Sequence, residues 1–285
     1  MIRFVTATAL VLACLLACPL LCSADAAAAP RASTAGPGVH VIPTPLAMPG
    51  LDRRRTVRIY LPPGYDASRK RYPVLYMHDG PNLFDDATSF VGEWGVDEAL
   101  DALAASEGIE LIVVGIDHGE ERRIAELTPW PNPKHSAVAE GDAYLDFVVH
   151  TVKPWVDARY RTRRGREHTG MMGSSLGGLM SDYAMRRHPQ VFGRIGILSP
   201  SYWYSDRVWE HALAHPPRRG TRVWLAAGDQ EDAQMSADLP RMAALLRQQS
   251  GGRIRLAWGL RPGAKHNEAA WREEFPRAAR FLFGP

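Results

Sequence analysis

The chain has 285 residues, 46% of them hydrophobic, and a formal charge of only +3 from 34 basic and 31 acidic side chains. That balance gives no case for nucleic acid as a partner, and the basic runs Arg53-Arg54-Arg55 and Arg161-Thr162-Arg163-Arg164 read as solvated loops. All three cysteines, Cys14, Cys18 and Cys22, lie near the amino end, so the rest of the chain holds no disulfide framework and relies on its core.

A positive charge at Arg3, an apolar run over residues 4–21 and then small residues predict a secretory signal peptide over residues 1–24. The run is at the short edge for a membrane-spanning helix, so no stable membrane span is expected. Lipid attachment at Cys18, within Leu15-Leu16-Ala17-Cys18, is the rival, and Pro19 directly after it argues against that. Residues 25–37, rich in Ala, Pro, Gly and Ser, read as a flexible lead-in, and residues 38–285 as one domain.

Within that domain strand-like and helical runs alternate. Residues 55–61 alternate apolar and polar and suit an outer antiparallel strand, while 72–77 and 111–116 are continuous apolar runs expected of strands covered on both faces. Helices are expected over 94–103 and 144–156, with further strands over 168–172, 194–199, 222–227 and 254–258. Such alternation predicts an α/β fold, a mostly parallel central sheet with helices on both faces, and sites beyond the carboxyl ends of its strands.

Gly173-Ser174-Ser175-Leu176-Gly177 falls between such a strand and a helix, the context in which G-x-S-x-G forms a nucleophile elbow. Its central residue, Ser175, is the candidate nucleophile. A Ser hydroxyl needs a His to take its proton and a carboxylate to orient that His, in the chain order Ser, acid, His. His266 is the one histidine after residue 215 and follows the last strand. Three carboxylates, Asp229, Glu231 and Asp232, follow the strand over 222–227. An oxyanion hole needs the N–H of Leu176 and a second donor from the loop His78-Asp79-Gly80-Pro81-Asn82. Pro81 has no N–H, which points to Asn82, with Gly80 behind it. Trp94, Trp130 and Trp203 lie in loops expected at the carboxyl edge and are candidate substrate-binding residues.

Leu75-Tyr76-Met77-His78-Asp79-Gly80, Gly173-Ser174-Ser175-Leu176-Gly177-Gly178, Ser199-Pro200-Ser201-Tyr202-Trp203 and His266-Asn267-Glu268-Ala269-Ala270-Trp271 occur in order. With them the chain resembles the esterase D and enterochelin-esterase-like branch of the α/β hydrolases. The resemblance implies a single-domain α/β-hydrolase fold, small-molecule ester substrates (alcohol, sugar or siderophore-like) and neither metal nor other cofactor. It also places the acid three residues after the Gly that ends its strand, which selects Glu231 after Gly228. Relatives often carry a residue with an N–H where this chain has Pro81, so the second oxyanion donor is a point of departure. The expected function is a secreted serine carboxylic-ester hydrolase working through an acyl-enzyme. An acyltransferase of the mycolyltransferase type and a catalytically silent binding module on the same fold are the alternatives.

Overall fold

Eight strands form one sheet in the order β1-β4-β6-β5-β7-β8-β9-β10 in the computed structural model, which describes residues 31–285. The expected signal peptide and Cys18 lie outside the described residues. The strands are β1 (Val39–Val41), β2 (Leu46–Met48), β3 (Arg53–Arg55), β4 (Val57–Tyr60), β5 (Val74–Met77), β6 (Ile112–Ile116), β7 (Thr169–Ser174), β8 (Arg194–Leu198), β9 (Arg222–Gly228) and β10 (Arg255–Arg261). β2 and β3 make a separate hairpin. β1 pairs antiparallel with β4 and β4 with β6, and from β6 through β10 every pairing is parallel.

The helices are α1 (Val96–Glu107), α2 (Arg123–Glu126), α3 (Gly141–Phe147), α4 (Lys153–Arg159), α5 (Leu176–Arg187), α6 (Arg207–Ala214), α7 (Ala233–Ser250) and α8 (Glu268–Phe283). Because successive strand residues face opposite ways, each apolar strand feeds two cores. Val74, Tyr76, Ile195, Ile197, Val223 and Leu225 join the core beneath α3 to α7. Leu75, Met77, Val113, Leu198 and Ala226 join the core beneath α1 and α8. This two-sided burial is why the central strands read as continuous apolar runs.

Two expectations change, and part of the lead-in makes contacts with the domain. The first helix starts at Val96, not Trp94, because Gly95 sits in the left-handed region (φ 59°) and ends the preceding loop. The predicted helix over 144–156 runs from Gly141 to Arg159 with a wider π turn at Val148–Val152. Pro154 has no N–H to return to His150, so the ladder opens there. The lead-in is fastened over its described part. Ser33 Oγ donates to Asp85 (2.9 Å), and the N–H groups of Thr34 and Gly36 donate to Asp85 (3.1 Å) and Asp97 (2.7 Å).

Candidate active site

The elbow is built by close packing. Ser175 has φ 57° and ψ −122°, a strained conformation that persists only where its surroundings enforce it. A Cβ on Gly173 would stand 2.7 Å from the His78 ring and 2.9 Å from Gly177 backbone. Only glycine lets β7, α5 and the His78 loop meet there. The Ser175 N–H is fixed on Leu198 O (3.0 Å) and its carbonyl accepts from Ser201 N–H (3.0 Å). The N–H of Leu176, the first residue of α5, has no partner within the helix, as at any helix start.

The three carboxylates after β9 have separate partners. Glu231 Oε2 lies 2.7 Å from His266 Nδ1, and its Oε1 accepts from Ser199 Oγ (2.7 Å) and Gly228 N–H (2.6 Å). Asp232 caps α7 by accepting from Met235 N–H (2.8 Å). Asp229 accepts from Gly263 N–H (2.8 Å) and so fastens the loop before His266. Burial alone would raise the Glu231 carboxyl, but the hydrogen bonds from His266, Ser199 and Gly228 hold it below the ordinary value. The Glu231 side chain is 2% exposed and that of His266 40%, so a buried anion supports an imidazole open to solvent.

His266, with Nδ1 turned to Glu231, and Ser175 line one cavity of about 550 Å³, without a direct hydrogen bond between their side chains among the described residues. The Ser175 hydroxyl rests 3.1 Å from Ser201 Oγ. Ser199 and Ser201, which the sequence shows only as part of the Ser199–Trp203 piece of the resemblance, thus join the site through Glu231 and Ser175. Across that turn, Trp271 Nε1 donates to Ser199 Oγ (2.9 Å) and the Trp271 ring packs edge-on against His266 at 5.0 Å. Trp271, five residues after His266, thereby holds both His266 and Ser199, the hydroxyl partner of Glu231.

Asn82 lies in a short turn, Gly80–Asn82, on the cavity wall. Its N–H is engaged by Asp79 O (2.9 Å), and its Oδ1 accepts from Phe90 N–H (3.1 Å). The remaining donor of Asn82 is Nδ2. Asn82→Asp keeps the acceptor for Phe90 and removes that donor. If Nδ2 holds the oxyanion, kcat for ester hydrolysis should fall by about 10²–10³. A loss under about tenfold would pass the role to the Gly80 N–H.

Of the candidate tryptophans, Trp94 lines the cavity and packs against Trp271 at 5.8 Å. Trp130 does not line it: the ring is buried edge-on against Tyr183 and His211. Trp203, 42% exposed, packs on His135 at 5.1 Å, also outside the cavity lining. Leu83, Phe90 and Val91 add apolar wall on the side of Trp94, and Phe90 is 83% exposed at the rim. The lining also includes Asp79, held by Arg123 through two bonds (2.6 and 2.8 Å).

His78 lies behind the elbow with Nδ1 2.8 Å from the Tyr144 hydroxyl. Burial brings its imidazole down from 6.5 to about 4; Asp79 opposes the shift and Arg123 adds to it. A group lowered in this way stabilises the fold fully above pH 6.5 and loses that contribution as pH falls from 6.5 to about 4. The contribution amounts to about 3 kcal/mol. The Tm of the wild type should therefore decline through this range more steeply than that of His78→Gln. Parallel declines would remove His78 as the cause.

Antiparallel strands at one edge, a parallel sheet beyond them and an elbow serine at the carboxyl end of β7 define the class of an α/β hydrolase. The chain belongs to the putative esterase family, whose model matches residues 49–282, and it is thus a carboxylic ester hydrolase. It is 26% identical over 248 residues to the uncharacterized protein YbbA of Bacillus subtilis, covering 81% of this chain and 93% of that one. It is 31% identical over 140 residues to the siderophore triacetylfusarinine C esterase of Aspergillus fumigatus, covering 47% of this chain and 46% of that one. Among solved structures, the BES protein of Bacillus cereus has a similar fold, with TM-score 0.74, 19% identity and coverage of 88% and 97%. The enterobactin esterase FES of Shigella flexneri gives TM-score 0.70 at 22% identity, covering 87% of this chain and 59% of that one. Among the described residues no helix is long and apolar enough to cross a membrane.

Proposed function

We propose that this chain is an exported serine esterase in which Ser175 attacks the ester carbonyl, His266 takes and returns the proton, and Glu231 orients His266. The observation that carries this reading is the 2.7 Å contact from buried Glu231 to His266 Nδ1, which leaves the other imidazole nitrogen for the cavity that Ser175 lines. Attack converts the carbonyl oxygen to an oxyanion held by Leu176 N–H and a donor from Asn82. The alcohol leaves with the proton from His266, and water, deprotonated by the same imidazole, releases the acid. Export rests on the leader over residues 1–24.

The wall formed by Leu83, Phe90, Val91 and Trp94 suits an ester with an aromatic or otherwise apolar part. Siderophore esterases among the relatives, and an endo-1,4-beta-xylanase/feruloyl esterase of Xylanibacter ruminicola that is 22% identical over 188 residues, agree with that class. A fluorophosphonate probe should label the wild type and leave Ser175→Ala unlabelled. Label retained on the alanine variant would remove Ser175 as nucleophile.

A further inference from the structure

The end of the sheet opposite the cavity carries a charge arrangement that ester hydrolysis does not use. Arg194, Arg222 and Arg255 are the first residues of β8, β9 and β10 and are direct partners in register across the three strands. Neighbours in a parallel ladder point to the same face, so three guanidinium groups stand in a row, and like charges so placed are destabilising. Arg222 has a partial remedy, since its Nη1 donates to the carbonyls of Phe281 (3.2 Å) and Gly284 (2.6 Å) at the end of α8. Arg194 reaches only the carbonyls of Gly193 (3.0 Å) and Gly220 (3.4 Å), and Arg255 lies over the Phe281 ring at 5.6 Å. None of the three makes an ion pair among the described residues.

The loops at the same end extend the row. Arg166 reaches the carbonyl of Arg219 (3.2 Å) and the hydroxyl of Thr221 (2.7 Å), and Arg218 and Arg219 are exposed in the turn before β9. Glu167 is the carboxylate that acts on both Arg166 and Arg194, and it lies 3.7 Å from His168. Burial brings Arg194 down to about 10, with Arg222, Arg166 and Arg255 pushing the same way. The guanidinium groups are therefore close enough to repel one another. By contrast Arg53 and Arg55, of the run expected to be a solvated loop, lie in β3 and are neutralised by Glu126 at 2.7 and 2.6 Å.

We propose that this arginine-edged end of the sheet is a docking face for an anionic lipid bilayer. The charges spread along one end of neighbouring strands and their turns, which fits a flat surface of many anions. A nucleic acid duplex would call for a helix or ribbon to enter a groove, and this end presents short turns. The choice of a bilayer also rests on the export reading, which brings the chain to a membrane. β8, β9 and β10 begin with the three arginines and run on to Ser199, Glu231 and His266. Docking by the arginine end thus leaves the cavity facing solution, about 20 Å further out along the strands.

The test is co-sedimentation of the full chain with vesicles of phosphatidylcholine alone and of phosphatidylcholine mixed one-to-one with phosphatidylglycerol. Binding is expected only to the anionic vesicles and should disappear in about 1 M salt. Arg218→Gln/Arg219→Gln/Arg255→Gln changes side chains that make no hydrogen bond among the described residues. Each change should weaken binding about fivefold, the triple variant about a hundredfold. The control Arg122→Gln/Lys134→Gln/Arg207→Gln removes the same charge near the cavity end and should bind like wild type. Equal binding to both vesicles, equal loss in both triple variants, or tighter binding to duplex DNA than to anionic vesicles would overturn the proposal. The readout needs no ester turnover, so it stands or falls apart from Ser175.

Discussion

Ser175→Ala is expected to lower kcat for ester hydrolysis by about 10⁴–10⁶ while leaving the fold intact. The alanine removes only a hydroxyl whose recorded contact is Ser201 Oγ at 3.1 Å, so packing at the elbow is preserved. The backbone there is held by Ser175 N–H on Leu198 O and by Ser201 N–H on the Ser175 carbonyl, neither of which the substitution touches. His266→Ala should cost a similar factor. The double variant should lose little more, because in the proposed mechanism base and nucleophile act in one step and their effects do not add. Steady-state kinetics with an aromatic ester, alongside circular dichroism of each variant, checks this. Two large losses that multiply in the double variant would mean that Ser175 and His266 act in separate steps.

The second large effect is expected at Glu231. Glu231→Gln should lower kcat by about 10⁴, since an amide in place of the carboxylate favours the wrong imidazole tautomer and leaves the imidazolium unsupported. The neighbouring acids give the contrast. Asp232→Ala loses the cap of α7 and should cost about 1 kcal/mol of stability with kcat nearly unchanged. Asp229→Asn keeps an oxygen for Gly263 N–H and should change kcat by less than about tenfold. Thermal melts and kinetics on the three variants separate these roles. A larger kcat loss at Asp229 or Asp232 than at Glu231 would reassign the acid.

Much of the architecture was legible because it rests on local periodicity. Apolar runs over 72–77, 111–116 and 194–199 lie where β5, β6 and β8 form, and the elbow's glycines lie where a Cβ would collide with His78 and Gly177. The starts of α1 and the π turn before α4 were less legible. They depend on one left-handed glycine and one missing proline N–H, which do not disturb the apolar pattern. The fastening of residues 33–36 onto Asp85 and Asp97 was hidden for another reason: it joins segments far apart in the chain.

The candidate site divides in the same way. The sequence by itself determined the strand–turn–helix around Ser175 and the strand–helix alternation that puts Glu231 and His266 just after the carboxyl ends of their strands, because backbone sterics and strand period act between near neighbours. The family spacing had singled out Glu231, and the tertiary structure added that it meets His266 while Asp229 and Asp232 fasten backbone, and that Trp94 faces the cavity while Trp130 is packed away. It also decided that Arg194, Arg222 and Arg255 share one row. Those outcomes depend on loop direction and sheet register, which arise from contacts between residues tens of positions apart and leave no mark on the pattern along the chain.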